Sequence, residues 1–167
     1  QWTEAGDTLK AVSGNSYAGM ILYSFDQGAI NNYRVSGKVA VTKADYASSA
    51  SFRRLDIVVG SKALTGSINT TGTVYDMVRM GFDDVPRYQS GYATHWINGP
   101  VSANSLFDMP DAGQSVEFSF TVIGNKITVT IDGQSFGYTG LSGDTLAFGF
   151  HAQYCDAEFQ NLKFENL

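Results

Sequence analysis

The stretch VEFSFTVIGNKITVTIDG, residues 116–133, decides the fold class. Val116, Phe118, Phe120 and Val122 alternate with Glu117, Ser119 and Thr121, and Ile127, Val129 and Ile131 alternate with Thr128 and Thr130. A period of two belongs to a strand with one buried face. Gly124-Asn125 separates the two runs, and Asp132-Gly133 follows the second. Both dipeptides tolerate the positive φ of a two-residue hairpin turn. The stretch therefore predicts two successive hairpins, the second returning over Gln134 to Tyr138.

The same alternation extends in both directions. Upstream it predicts strands over Ala18 to Ser24, Asn31 to Lys43, Arg53 to Ser61, Val74 to Val85 and Tyr92 to Asn98. Gly37 interrupts the second of these and reads as a bulge or bend. Asp83 to Ser90 contains Pro86 and reads as a turn, and a short helical turn is expected near Asn104 to Phe107. Downstream, Leu146 to Gln153 and Glu158 to Glu165 read as a pair joined across Tyr154 to Ala157, with Phe159, Leu162 and Phe164 completing the core. Nine to eleven strands without a convincing helix mean a sandwich or barrel. The expected fold is all-β, a two-sheet antiparallel jelly-roll sandwich, as one domain over residues 1–167.

Composition agrees. Aromatic residues are 13% of the chain, there are 18 glycines, and Glu occurs only four times. Surface helices draw heavily on Glu, Lys and Ala, whereas pleated surfaces favour β-branched and aromatic side chains. The net charge is −5 and the pI about 4.8. No basic cluster exceeds Arg53-Arg54, and phosphate recognition needs a concentrated Lys/Arg stripe, so nucleic acid is excluded as the expected partner. No apolar run approaches the roughly 20 residues of a spanning helix. Charged residues are 16%, so the surface relies on Ser, Thr, Asn, Gln and Tyr. Such a surface suits a neutral polyhydroxylated ligand, and equally an ordinary extracellular surface. Cys155 is the single cysteine, so no intrachain disulfide is possible. The chain opens at Gln1-Trp2 and reads as a mature or excised piece of a larger multidomain protein, secreted or at the cell surface.

Catalytic patterns are missing. Retaining glycosidases need two carboxylates about 5–5.5 Å apart, and no Glu stands in a Glu-x-Asp-x-x-Glu run. Asp56 and Asp76 are the acids an inverting mechanism would draw on. There is no Gly-x-Ser-x-Gly. Cys155 with His95 or His151 is the one conceivable thiol dyad, but a lone Cys beside an aromatic strand end is more often a packed small hydrophobe. Two isolated histidines do not make a zinc site. No cofactor is expected. Structural calcium is the alternative at Asp83-Asp84, at Asp108 with Asp111, and at Asp156 with Glu158, although Asp also serves turns without a metal.

The segments LAFGFHAQ (146–153) and AEFQNLKF (157–164) resemble the closing strands of concanavalin A-like and laminin-G-like sandwich domains. KITVTIDGQ (126–134) and NYRVSGKV (32–39) are similar to their hairpin and early strand. Their order resembles the fructan-binding modules attached to bacterial exo-acting hydrolases. The resemblance implies a non-catalytic module that binds a polysaccharide or oligosaccharide and targets a parent protein to it. A glycan-active hydrolase or lyase of this fold, and a structural or adhesive surface or phage-fibre domain, are the competing expectations. The middle of the chain, Ser61 to Asp111, departs from the pattern.

The strand phases opposite the apolar ones supply candidate ligand-binding residues. They are Arg54, Asp56, Arg79, His151 and Gln153, with Tyr92 or Trp96 as an aromatic platform. Aromatic faces stack on the C–H side of a sugar ring, while Arg, carboxylates and amides hold vicinal hydroxyls. The bland alternative is a solvent-facing sheet with ordinary cross-strand pairs.

Overall fold

The computed structural model describes residues 1–13, 17–24, 30–43, 54–60, 74–80, 87–92, 95–99, 112–139 and 147–167. Among these residues there are strands and no helix. In chain order they are β1 (Trp2–Ala5), β2 (Thr8–Ala11), β3 (Tyr17–Ser24), β4 (Asn32–Lys43), β5 (Arg54–Gly60), β6 (Val74–Met80), β7 (Arg87–Tyr92) and β8 (His95–Gly99). Then follow β9 (Ser115–Ile123), β10 (Lys126–Ile131), β11 (Gln134–Thr139), β12 (Ala147–Gln153) and β13 (Asp156–Asn166). A seven-stranded sheet runs β1-β2-β13-β4-β9-β10-β11, and a six-stranded sheet runs β3-β12-β5-β6-β7-β8. All recorded pairings are antiparallel. The fold is a two-sheet jelly-roll sandwich.

The inner faces meet in one core. Tyr33, Val35, Phe120, Ile127 and Phe159 of the seven-stranded sheet are buried together with Leu55, Ile57 and Phe150 of the six-stranded sheet. Phe150 lies 4.2 Å from Phe159, ring to ring and stacked, and meets Phe118 edge-on at 6.0 Å. Such offset and edge geometries add about 0.5–1.5 kcal/mol per pair beyond burial.

The two central turns match their residues. Asp132 (φ 48°) and Gly133 (φ 78°) are both left-handed, the pattern of a type I′ turn, whereas Gly124 (φ 57°) alone precedes an ordinary Asn125, as in type II′.

Four expectations need correction. The last two strands do not pair with each other. β12 pairs with β3 and β5, while β13 pairs with β2 and β4. The chain changes sheets at Tyr154 (φ 52°) and Cys155. Ser13 fixes this crossing, its amide donating to Asp156 Oδ1 at 2.9 Å and its hydroxyl to the Cys155 carbonyl at 2.8 Å. Second, Arg87–Ser90 is strand, not turn, because it pairs on one side with β6 and on the other with β8. Third, the N-terminal hairpin β1–β2 went unread, since β1 is short and largely exposed.

The fourth correction concerns Gly37. β4 pairs with β9 without interruption through Gly37↔Phe118, so the bulge is not there. It lies on β13, where Gln160↔Lys38 is followed by Lys163↔Ser36. One extra residue on β13 shifts its parity, so Phe159 and Phe164 both belong to the inner phase. Asn161 takes the left-handed conformation at the bulge (φ 54°), and its amide donates to the Asp7 carbonyl at 3.2 Å. Phe164 packs at the margin of the core, 41% exposed, rather than inside it. The expected helical turn near Asn104 to Phe107 lies outside the described residues. No helix among the described residues is long and apolar enough to cross a membrane.

Candidate functional site

Strand alternation fixes which positions face outward on the six-stranded sheet. Leu55, Ile57 and Val59 of β5 are buried inward, as are Phe148, Phe150 and Ala152 of β12. The intervening positions, Arg54 and Asp56 on β5 and Gly149, His151 and Gln153 on β12, belong to the outer face. β5 and β12 are neighbours, with His151 opposite Asp56 and Gln153 opposite Arg54. Asp56 is in turn opposite Arg79, and Arg79 opposite Arg87. One rung across four strands thus reads His151–Asp56–Arg79–Arg87.

A second rung of the same face reads Ala147–Gly60–Tyr75–Gly91–Trp96. Small positions alternate there with aromatic ones. Trp96 lies four residues along and three strands across from Asp56. At about 3.4 Å per residue and 4.8 Å per strand, the two positions are roughly 20 Å apart. Tyr92 is opposite Val74 and His95, which puts it in the inner phase with Val78 and Leu55.

The structure therefore gathers six of the seven candidate positions on one sheet face and sets Tyr92 on the other. His151 differs from the rest of the group in being described in full. It is 3% exposed although it lies outside the core phase. Arg87 and Gln89 share the outer face and were missed in the sequence, because Asp83-Asp84 and Pro86 drew the whole segment into a turn. Their signal was the alternation of Arg87 and Gln89 with Tyr88 and Ser90.

The outer face of the seven-stranded sheet is a different surface. It holds an open depression of about 660 Å³ lined by Arg34, Ser36, Ser119, Thr121, Thr128 and Thr130. Several of its groups are already paired. Arg34 Nε donates to Thr121 Oγ1 at 3.2 Å, and Lys163 donates to Glu165 at 2.8 Å. That bond is the main reason the Glu165 carboxyl is held below the usual carboxylate range. The outward positions of β9 and β10 carry no aromatic residue on which a ring could stack.

The other chemical expectations meet the structure as follows. Cys155 is fully buried in the core. Asp156 accepts from the Ser13 amide, and Glu158 pairs with Lys10 at 2.7 Å. Among the described residues no three His, Cys, Asp or Glu side chains gather as a metal site would require. Asp83, Asp84, Asp108 and Asp111 lie outside the described residues.

No protein-family model matches the sequence, and no curated protein matches it either. Solved structures do match in shape. The carbohydrate-binding module CBM66 from Bacillus subtilis superposes with a TM-score of 0.67 at 8% identity, over 99% of this chain and 91% of that one. The galectin LEC-6 from Caenorhabditis elegans gives 0.60 at 12% identity, over 98% and 99%. A Parabacteroides distasonis protein described as a glycosyl hydrolase gives 0.58 at 14% identity, over 99% and 90%. At these identities the likeness concerns the fold, which is the concanavalin A-like β-sandwich.

Proposed function

We propose that this chain is a non-catalytic carbohydrate-binding module that holds an oligosaccharide across the outer face of its six-stranded sheet. The observation that carries the reading is the register. It aligns Arg54, Asp56, Arg79 and Arg87 near one end of this face and Trp96 at a diagonal position, with Gly60, Tyr75 and Gly91 on the rung that leads to Trp96. In this reading the guanidinium groups and the Asp56 carboxylate hold vicinal hydroxyls, and Trp96 stacks on a later ring. His151, being buried, supports the floor beside Asp56 and does not touch the sugar. Similarity of fold to a carbohydrate-binding module and a galectin is consistent with this. Similarity to a glycosyl hydrolase favours an enzyme, but no Glu-x-Asp-x-x-Glu run is present, and Asp56 and Asp76, the acids an inverting reaction would draw on, stand in opposite strand phases.

The roughly 20 Å between the rung of charges and Trp96 sets the ligand length. A pyranose advances a chain by about 5 Å, so about four units reach from one to the other. A glycan array on the purified chain identifies the ligand class, and calorimetric titration follows with oligomers of one to six units. Affinity is expected to rise up to about four units and then level off. Asp56→Ala and Arg54→Ala weaken every length by tens-fold, since a hydrogen bond to a charged group is worth about 1.5–3 kcal/mol. Trp96→Ala removes the gain with length and spares the shortest ligand. Equal binding by all three variants and the parent, at unchanged melting temperature, would falsify the assignment of this face.

A further inference from the structure

A second cavity, of about 310 Å³, opens at the edge of the sandwich between the two sheets. It exists because β2 stops pairing with β13 at Thr8↔Gln160, just where the Asn161 bulge turns β13 aside. The inner wall is hydrocarbon: Leu9, Val35 and Leu162, with the rings of Phe148, Phe164 and Tyr23. Phe148 stacks on Phe164 at 5.9 Å and 8°, and Tyr23 on Phe148 at 5.2 Å and 25°. Polar groups are confined to the rim. Glu4 there accepts a hydrogen bond from the Tyr23 hydroxyl at 2.8 Å, which ties β1 to β3 across the sandwich edge. Asp7, Thr8 and Lys163 are the other polar side chains of the lining, and Lys163 is already ion-paired with Glu165 at 2.8 Å.

We infer that this cavity binds a small amphipathic amine, a ring or short chain of carbons carrying one ammonium group. The walls decide the body of the ligand. A sugar placed here would press hydroxyls against Leu9, Val35 and Leu162, and an unmatched buried hydroxyl is unfavourable. Volume decides the size. An apolar cavity of about 150 Å³ holds one benzene ring, so twice that holds a ring, a two-carbon arm and a head. The rim decides the charge. Glu4 and Asp7 are both carboxylates, and Lys163, the cation that lines the cavity among the described residues, is paired with Glu165, so an ammonium is attracted and a carboxylate repelled. The site is separate from the sugar-binding face, and neither reading depends on the other.

The test uses 2-phenylethylamine and its charge-reversed analogue phenylacetate, titrated into the full 167-residue chain and followed through the aromatic resonances of Tyr23, Phe148 and Phe164. Saturable shifts with the amine in the roughly millimolar range are expected for a ligand of this size, with phenylacetate at least tenfold weaker. Leu162→Trp fills the cavity and abolishes binding, while leaving any glycan-array hit bound as before. Glu4→Gln keeps an acceptor for the Tyr23 hydroxyl on an exposed strand, so it folds, and it brings the two probes within about threefold of each other. The inference is overturned if the amine gives no saturable shift, if phenylacetate binds as well as the amine, or if Glu4→Gln leaves the preference intact. It is equally overturned if a folded Leu162→Trp binds the amine like the parent.

Discussion

At the scale of single residues, Gly37 and Asn161 form one device. A Cβ on Gly37 would stand 2.8 Å from the Gln160 carbonyl oxygen and 3.3 Å from that of Asn161. Both obstacles are backbone, so they cannot swing away as a side chain would. Gly37→Ala is therefore expected to lower stability by about 1–3 kcal/mol, read as a lower urea midpoint at unchanged slope. A loss under about 0.5 kcal/mol would show that the bulge slides to make room. From the sequence, a glycine inside an alternating run signals an irregularity without saying which strand carries it. A bulge belongs to a pair of strands, and pairing is not local information. The same limit applied to the aromatic candidates. Tyr92 and Trp96 share parity on paper, but the register of their strands, Tyr92 opposite His95 and Gly91 opposite Trp96, puts them on opposite faces. Tyr23 supports a second prediction. Burial first, and its bond to Glu4 second, raise its hydroxyl above the ordinary tyrosine range. A folded value above the unfolded one gives stability that is complete below about pH 10 and is lost as pH rises from there toward the folded value. The parent's urea midpoint should fall between about pH 9.5 and 11.5 more steeply than that of Tyr23→Phe. Identical slopes would rule the bond out as a source of alkaline sensitivity.

At the scale of elements, legibility followed how local the determinant was. The β9–β10–β11 meander was readable in full because its turns are two residues long and its phases strict. Gly133 makes that testable. At φ 78°, after a residue already left-handed, Gly133→Ala should reduce stability by about 1–2 kcal/mol on thermal denaturation. The same change at Gly113, also left-handed (φ 88°) but outside any hairpin turn, serves as a comparison for the strain of φ alone. If Gly133→Ala costs less than Gly113→Ala, the turn does not hold the register. The closing segments β12 and β13 were each identified as strands and wrongly joined to each other. A short connection normally implies a hairpin, and here Tyr154 and Cys155 carry the chain from one sheet to the other instead. Nothing in residues 154–157 distinguishes the two outcomes, because the choice rests on β3 and β5 being available to flank β12. The outward phases of β5 and β12 were legible for the same local reason as the meander. That these two strands are neighbours, which turns scattered polar residues into one surface, was not.

At the scale of the whole molecule, the two outer faces divide the chemistry. The seven-stranded sheet shows short hydroxyl side chains beside ion pairs, while the six-stranded sheet gathers Arg, Asp and Trp positions, three Arg to one Asp in and beside the shared rung. The chain as a whole is acidic, at −5. A polyanionic ligand would have to approach against that field, and it would bind through Arg54, Arg79 and Arg87 as point contacts to charged groups. Each contact would then release counterions, and binding through about three of them should weaken about 20-fold for a tenfold rise in salt, taking half of the slope of about −0.9 per contact that holds on duplex DNA. A neutral glycan gives a different signature. Its hydroxyls bond to Arg54, Asp56 and Arg79 without releasing ions, and stacking on Trp96 is insensitive to ionic strength. Screening beyond about 10 Å at 0.1 M salt leaves such short contacts intact. The dissociation constant for the best array hit should therefore change by less than about twofold between 50 and 500 mM sodium chloride, measured by calorimetry at constant pH. A loss of tenfold or more over that range would mean that the arginine rung serves an anionic saccharide, and that the outer face selects its ligand by charge rather than by the pattern of its hydroxyls.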